Sequence, residues 1–300
     1  MFVTARLNRL LEKSRELPLN ESSKIILMSD CHRGDGGWAD NFSNNQNLFF
    51  AALSYYYHKN FTYIELGDGD ELWENRSIEQ IITAHSDAYW LMAKFHQKNR
   101  LYMLYGNHDM VKKNNSYVTN KCRTYFDDCK QKNVLLFPSL KITEGIVLNY
   151  TDTNNKILLV HGHQADFFNY TLWRLSRFLV RYIWRPLELM GLQNPTSASK
   201  NYNIKNTIEK KLIDWSITNN QMIIAGHTHK PVFPKVGEAL YFNDGSCVHP
   251  RCITAIEIEN GAITLVKWTI KTKKDRTLYV GRVILEGPVK LKEYFDQTVI

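Results

Sequence analysis

Five apolar runs in this chain stop abruptly at side chains that can bind metal ions. Short apolar runs bounded by polar turn residues predict buried strands, and ligands of open α/β sheets bind at the carboxyl ends of the strands. Carboxylate, amide and imidazole groups released together at five strand ends predict a metal site that holds two ions. The five runs are KIILMSDCH (24–32), TYIELGDGDE (62–71), LYMLYGNHD (101–109), ILLVHGHQAD (157–166) and QMIIAGHTH (221–229).

The order of the predicted elements indicates an α/β fold. Strands at 24–29, 61–66 and 100–105 alternate with helices at 44–59 and 78–97, which predicts a parallel sheet with right-handed crossovers. The spacing of leucines predicts an N-terminal helix over 3–17, and the stretch 111–133 is less regular. Further strands are predicted at 134–137, 142–150, 156–161, 222–225, 239–243, 252–258, 262–270 and 277–285, with 142–150 and 156–161 forming a hairpin.

Residues 167–220 interrupt this succession of strands. We expect one domain over residues 1–300, with a helical insertion at about 167–220 that contains helices at 167–191 and 204–218. On a helical wheel, the first of these places its arginines in one narrow sector and is apolar elsewhere. Such a helix contacts acyl chains at a membrane surface, or it packs in the core or in a homodimer interface. The arginines are Arg174, Arg177, Arg181 and Arg185.

The composition of the chain does little to identify its binding partners. The net charge of +8 fits an anionic substrate, an acidic membrane surface or nucleic acid, and it selects none of them. The five cysteines show no CxxC spacing, which favours a reduced, cytoplasmic chain. Residues 1–20 carry charges throughout and show no signal-peptide pattern, and no apolar run approaches the ~20 residues of a membrane span.

The ordered blocks D-x-H, G-D-x-x-E, G-N-H-D, H-G-H and G-H-x-H, from Asp30 to His229, resemble the signature of the calcineurin-like metallophosphoesterase superfamily. The resemblance implies a four-layer αββα sandwich with a lid-like helical insertion. It also implies an enzyme with two divalent metal ions (Mn, Fe or Zn, with Mn favoured). A metal-bridging hydroxide would attack a phosphoester or pyrophosphate bond.

The resemblance further implies roles for individual residues. Asp68 would bridge the two ions, because the two oxygens of a carboxylate can each bind a different cation. His108 would be the general acid, oriented by Asp109, and the alternative for His108 is a structural imidazole beside the ligands. The implied ligands are Asp30, His32 and His229 for one metal, and Asn107, His161 and His227 for the other.

Several polar residues near these blocks have two interpretations each. Glu71 is a hydrogen-bond acceptor beside the ligands or an acid at a helix N-terminus. Arg33 contacts the substrate phosphate or is solvated, and Asp166 faces the cleft or caps the next helix. Ser199 and Lys200 clamp an anionic headgroup or belong to a solvated loop.

The block GDGDELW (67–73) resembles the subgroup typified by UDP-2,3-diacylglucosamine diphosphatase, which cleaves a pyrophosphate in a nucleotide-linked lipid. That subgroup also has a helical insertion before its GHTH block. His108 departs from it, because the diphosphatase has arginine at this place. The shared block and insertion still favour a nucleotide-linked or lipid-linked phosphate as the substrate. The alternatives are a general phosphodiesterase, a phosphoprotein phosphatase, a nuclease or a non-catalytic scaffold.

Overall fold

Two β-sheets form the framework of the protein. The computed structural model describes residues 2–127, 130–184 and 201–296. Within these ranges the strands are β1 Arg15–Leu19, β2 Lys24–Met28, β3 Thr62–Glu65, β4 Leu101–Leu104, β5 Thr124–Asp127, β6 Lys132–Leu135, β7 Ile142–Thr143, β8 Gly145–Tyr150, β9 Asn155–Val160, β10 Met222–Ala225, β11 Tyr241–Asn243, β12 Cys252–Glu259, β13 Ala262–Thr272 and β14 Leu278–Lys290.

The larger sheet has seven strands in the order β14-β13-β12-β2-β3-β4-β7, and the smaller has five in the order β1-β8-β9-β10-β11. In the larger sheet β2, β3, β4 and β7 are parallel neighbours. In the smaller sheet β9 and β10 are parallel, while β8 and β9 form the predicted antiparallel hairpin. The carboxyl ends of β2, β3 and β4 therefore lie at one edge of the larger sheet, as the βαβαβ pattern predicts.

Helices cover the outer faces of both sheets. The described helices are α1 Phe2–Lys13, α2 Gln46–His58, α3 Ile78–Ala84, α4 Ser86–Gln97, α5 Asn115–Lys121, α6 Phe167–Thr171, α7 Trp173–Leu179, α8 Tyr202–Asn219 and α9 Leu291–Phe295, with 3-10 turns at Met110–Lys113 and His163–Ala165 and a π-helical turn at Val180–Trp184.

Alternating side chains of the strands divide the core into three apolar layers. On β2, Ile25 and Leu27 pack between the two sheets, whereas Ile26 and Met28 pack under α2 and α4. The outer face of the smaller sheet packs against Leu7 of α1 and other residues of α1 and α8. The layers are thus helices, sheet, sheet and helices, and the predicted four-layer α/β architecture is confirmed.

The N-terminal region differs from the predicted helix over 3–17. The helix ends at Lys13, and β1 pairs in parallel with β8. From Glu16 to Leu19 exposed and buried residues alternate, with Leu17 and Leu19 buried. This is the two-residue period of a strand that has one face exposed. Leu17 fits a helical spacing and a strand spacing equally, and pairing with β8 decides between them.

Three other segments also differ from the sequence prediction. The helix predicted over 78–97 is interrupted at His85, whose ring is held by Asp40 at 2.7 Å (Nε2–Oδ2). The strand predicted over 142–150 is two strands, because β7 belongs to the larger sheet and β8 to the smaller one. The segment 111–133, predicted as less regular, contains β5, which pairs with β6; β6 begins two residues before the strand predicted at 134–137.

The insertion is described in part. The helix predicted over 167–191 is broken at Leu172, where α6 ends and α7 begins, and it continues into the π-helical turn. The second predicted helix is confirmed as α8. Arg185 and the linker residues Ser199 and Lys200 lie outside the described residues. The single domain over residues 1–300 stays a prediction.

Among the residues that the structure describes, we find no helix long and apolar enough to cross a membrane.

Candidate metal centre

The loops after five strands, three from the larger sheet and two from the smaller, meet at one place. Backbone hydrogen bonds join the loops of the larger sheet, from Asp30 N–H to Gly67 O (3.1 Å) and from His32 N–H to Asp68 O (2.9 Å). The backbone N–H of His227, which follows β10, donates to Asp30 Oδ2 at 2.9 Å and so joins the two sheets. The predicted convergence of strand ends is therefore present.

The first ligand group contains Asp30, His32 and His229. The Nε2 atom of His229 lies 3.0 Å from Asp30 Oδ1 and 3.2 Å from His32 Nε2. The distance from His32 Nε2 to Asp30 Oδ1 is 3.7 Å. Donor atoms that bind one ion at about 2.0–2.2 Å are separated by distances of this size. These three residues are the set that the family resemblance implied for one metal.

The second ligand group contains Asp68, His161 and His227. The Nδ1–H of His161 donates to the carbonyl of Leu66 at 3.0 Å, so in the neutral ring Nε2 carries the lone pair that a metal needs. That Nε2 atom lies 3.1 Å from Asp68 Oδ2. Burial lowers the pKa of His161, but the Asp68 and Asp30 carboxylates outweigh it and raise that pKa to about 9 in the protein without metal.

Unpartnered polar atoms test whether these residues fit a metal. Buried polar atoms are nearly always hydrogen-bonded, and an unpartnered one is costly. Four atoms of the predicted ligands are buried and make no contact with hydrogen-bond geometry among the described residues, although Asp30 Oδ1 and His161 Nε2 have other candidate ligand atoms at 3.0 and 3.1 Å. The four atoms are Asp30 Oδ1, Asn107 Oδ1, His161 Nε2 and His227 Nε2. Because each is a good donor atom for a divalent cation, the residues fit the metals that the family implies.

Asp68 lies between the two groups. Its Oδ2 atom is 3.1 Å from His161 Nε2 and 3.9 Å from His32 Nε2. Its Oδ1 atom accepts the backbone N–H of His108 at 2.8 Å. Burial raises the pKa of Asp68, but the neighbouring histidines outweigh it and hold that pKa well below its usual range. Asp68 therefore lies beside a histidine of each group, and the bridging role that the resemblance implies stays a prediction.

The backbone at this site is unusual. Five of the seven predicted ligands have the left-handed conformation, which is rare for residues other than glycine and costs about 1–2 kcal/mol each. Such conformations are found mainly at functional sites, where the surrounding fold enforces them. The five are Asp30 (φ 52°), His32 (47°), Asp68 (48°), His227 (68°) and His229 (54°).

Close packing explains the glycines that precede two of the ligands. A Cβ atom on Gly106 would lie 2.1 Å from Asp68 Oδ1, and one on Gly226 would lie 2.6 Å from Asp30 Oδ2. Any side chain at either position would displace a ligand carboxylate. The G-N-H-D and G-H-x-H blocks therefore begin with glycine for steric reasons.

Glu71 connects the metal ligands to His108. Its Oε2 atom is 2.9 Å from His32 Nδ1, and its Oε1 atom is 2.7 Å from His108 Nδ1. Oε1 also accepts the backbone N–H of Trp73 at 3.3 Å. Glu71 is therefore an acceptor beside the ligands. A turn follows it, and the next helix begins only at Ile78, so the helix N-terminus interpretation is wrong.

The imidazole of His108 is more accessible than that of the candidate ligand His161. Its side chain is 22% exposed, whereas that of His161 is fully buried. The indole ring of Trp73 stacks on it, with ring centroids 4.3 Å apart. We find no hydrogen bond to His108 Nε2 in the described parts of the chain. The geometry leaves this nitrogen available to a bound molecule.

Asp109 does not orient His108, so that expectation is wrong. Asp109 Oδ1 accepts the backbone N–H of Gly106 at 2.7 Å, and Oδ2 is 2.8 Å from Lys112 Nζ. The carboxylate is fully buried and turned away from the His108 ring, which Glu71 holds instead. Sequence proximity suggested Asp109, but the direction of the side chain decides the partner.

Arg33 is also placed differently from either expectation. It is fully buried, and its guanidinium binds both carboxylate oxygens of Glu65 (2.8 and 2.9 Å) and Asp70 Oδ1 (2.7 Å). An arginine that is paired with two buried carboxylates is neither solvated nor free to bind a substrate phosphate. Both alternatives for Arg33 are therefore wrong.

Asp166 combines its two interpretations. Its Oδ1 atom caps α6 by accepting the backbone N–H of Asn169 at 3.2 Å. Its Oδ2 atom lies 3.6 Å from His227 Nε2, at the second ligand group. Capping fixes a carboxylate at the edge of the metal centre.

Sequence analysis missed a buried carboxylate behind Asp30. The hydroxyl of Ser29 lies 2.5 Å from Asp30 Oδ2 and 2.7 Å from Asp244 Oδ1. Asp244 directly follows β11, so it obeys the strand-end pattern that identified the other carboxylates. Application of that pattern to the run ALYFND would have found it.

Histidine and carboxylate ligands at strand ends of two packed sheets define an α/β protein with a candidate metal centre. The sequence model of the calcineurin-like phosphoesterase family matches residues 23–231, well over half of the chain. The chain therefore belongs to the calcineurin-like phosphoesterase family.

Other comparisons add little. No curated protein sequence matches the chain. Among solved structures, Vps29 from Chaetomium thermophilum is similar over 88% of this chain and 96% of its own, with 10% sequence identity and a TM-score of 0.35. A similarity of this degree supports no conclusion about activity or partners.

Proposed function

We propose that this protein is a metal-dependent phosphohydrolase with two divalent ions, which cleaves a phosphoester or pyrophosphate bond. The observation that carries the proposal is the pair of ligand groups that meet at Asp68 Oδ2, with buried donor atoms that lack hydrogen bonds among the described residues. We infer the ligand set that the resemblance implied. Asp30, His32 and His229 hold one ion, and Asn107, His161 and His227 hold the other.

Two such ions, when bound, polarise the phosphoryl group and lower the pKa of water, which is the chemistry that phosphate hydrolysis needs. His108 donates a proton from Nε2 to the leaving oxygen. Glu71 holds Nδ1 of the same ring and Trp73 supports its face, so the direction of Nε2 is fixed. Asp166, whose Oδ2 lies 3.6 Å from His227 Nε2, lies beside the second ligand group.

Hydrolysis of a substrate panel tests the proposal. The panel contains a nucleotide-diphospho-lipid, a dinucleoside polyphosphate, bis(p-nitrophenyl) phosphate and a phosphopeptide, each with Mn²⁺ and with EDTA. We expect Mn²⁺-dependent hydrolysis that EDTA abolishes. A protein that binds two Mn²⁺ ions and hydrolyses no member of the panel would instead be the non-catalytic scaffold.

For the substrate, we propose a phosphate that is linked to an apolar group, as in a nucleotide-linked lipid. Support comes from the segment 166–184, which runs past the metal centre. Asp166 contacts the second ligand group at one end, and at the other Arg181 donates to the carbonyls of Leu72 and Trp73, both at 2.7 Å. The segment therefore lies beside the candidate acid His108 as well as the ligands.

This segment exposes several large apolar side chains, which we call its apolar face. Phe167, Phe168, Leu175 and Phe178 are 59%, 65%, 52% and 54% exposed. Contiguous exposed apolar patches mark interaction sites, and Arg174 beside them would suit anionic headgroups. We propose that this face contacts a lipid surface, so that the metal centre meets its substrate at the bilayer.

Vesicle binding checks this contact. Phe168→Ser and Phe178→Ser should each weaken sedimentation with phosphatidylglycerol vesicles by roughly tenfold or more, because a buried phenylalanine contributes about 1.5–3 kcal/mol. The melting temperature should change little, since both side chains are exposed. Phe126→Ser, which removes a phenylalanine that is 48% exposed on the β5–β6 hairpin, is the matched control.

Two other outcomes would contradict the lipid contact. Dimers that dissociate in Phe168→Ser, seen by analytical ultracentrifugation, would assign the face to a homodimer interface. Retention of single-stranded DNA, lost in Arg174→Ala, would assign it to nucleic acid.

A further inference from the structure

A buried ion-pair network links the loops that carry the candidate metal ligands. The ammonium of Lys112 lies 2.5 Å from Asp70 Oδ2 and 2.8 Å from Asp109 Oδ2. Lys112 is 1% exposed, and both carboxylates are equally buried. Asp70 is two residues beyond Asp68, and Asp109 is two residues beyond Asn107. One buried cation thus joins the loop after β3 to the loop after β4.

Each carboxylate in turn holds the backbone near a ligand. Asp109 Oδ1 accepts the N–H of Gly106 at 2.7 Å, which fixes the turn that presents Asn107 and His108. Asp70 Oδ1 is bound by Arg33 Nε at 2.7 Å, and Arg33 follows His32 directly. The backbone adds to this link, because the Glu71 N–H donates to Arg33 O at 2.9 Å.

Lys112 is the residue of this ion-pair network whose loss would leave a buried charge uncompensated. Asp70 also binds Arg33 and the hydroxyl of Tyr89 (2.5 Å) and would stay paired without Lys112. Asp109 Oδ2 is paired with Lys112, and we find no other cation paired with it among the described residues. Without it, two buried carboxylates would face each other, and an uncompensated buried charge is strongly unfavourable. The loop after β4 would then move away from the loop after β3.

We propose that Lys112 is a positioning residue, which sets the distance between the loop of Asp68 and Glu71 and the loop of Asn107 and His108. The predicted effect of Lys112 on hydrolysis rests on the proposed function. The predicted effect of Lys112 on metal binding does not. No part of the metal chemistry falls on Lys112 itself. It acts through Asp70 and Asp109.

The test compares Lys112→Met with Lys113→Met, which removes the exposed neighbouring lysine. Calorimetric Mn²⁺ titration of the folded proteins should show affinity lowered roughly 10–100-fold in Lys112→Met and unchanged in Lys113→Met, as expected when groups that orient ligands are lost. kcat on bis(p-nitrophenyl) phosphate at saturating Mn²⁺ should also fall, with KM nearly constant. Wild-type Mn²⁺ affinity in folded Lys112→Met would overturn the proposal.

A double variant separates positioning from folding. Lys112→Met/Asp109→Asn removes the unpaired charge and keeps an oxygen for the Gly106 N–H, so it should fold even where the single variant does not. We expect its Mn²⁺ affinity to stay low, because the ion pairs of Lys112 that join the two loops are still absent. Wild-type affinity in the double variant would mean that Lys112 serves folding alone. If wild-type protein binds Mn²⁺ without hydrolysing the panel, the proposed function fails, while these titrations still decide the role of Lys112.

Discussion

Asp68→Asn is expected to remove most bound metal and most activity, the largest effect of any single change in this protein. Asp68 Oδ2 lies near both ligand groups, at 3.1 Å from His161 Nε2 and 3.9 Å from His32 Nε2. If the proposed function holds, the variant would deprive both ions of their shared anionic ligand. Metal ions supply several kcal/mol of transition-state stabilisation, so turnover should fall by roughly 10³-fold or more.

Metal analysis by mass spectrometry and hydrolysis of bis(p-nitrophenyl) phosphate measure this result together. Asp275→Asn, at an exposed loop, is the matched control and should keep both ions and full turnover. Asparagine preserves the size of the side chain and can still accept the N–H of His108, so the fold should survive. Two ions per chain with near-normal turnover in Asp68→Asn would refute the bridging role.

The candidate ligands at strand ends were predictable because their positions follow from local rules. An apolar run predicts a strand, and the residue after it lies at the edge of the sheet whatever the rest of the chain does. Asp30, Asp68 and His161 needed nothing more. The same reasoning predicts the layers of the fold, because alternate residues of a buried strand such as β2 must find apolar cover on both faces.

Partners within the site were less predictable, because they depend on side-chain direction and on burial. Asp109 is adjacent to His108 in the chain, yet its carboxylate turns into the interior toward Lys112. In the sequence Arg33 resembles a phosphate-binding arginine. In the structure it forms ion pairs with the buried carboxylates of Glu65 and Asp70, more than thirty residues along the chain. The strand β1 was missed for a related reason, since Leu17 fits both a helical and a strand spacing, and pairing with the distant strand β8 selects the strand.

His108→Ala should separate proton donation from metal binding. The ring is not placed in either of the two predicted ligand sets, so both ions should remain. Loss of a general acid slows hydrolysis by roughly 10²–10⁴-fold when the leaving group is a poor one, such as an alkoxide. With p-nitrophenolate as leaving group the defect should shrink, because that group departs without a proton. His58→Ala, at an exposed histidine of α2, is the matched control.

Glu71→Gln makes the interpretation of His108→Ala sharper. Glu71 binds Nδ1 of both His32 and His108, at 2.9 and 2.7 Å, so its loss should disturb one metal ligand and the acid together. A Glu71→Gln variant should therefore lose Mn²⁺ affinity and activity on every substrate, whereas His108→Ala loses activity chiefly on the poor leaving group. An equal defect of His108→Ala on both leaving groups, with two ions bound, would show that the imidazole orients the substrate rather than donating a proton.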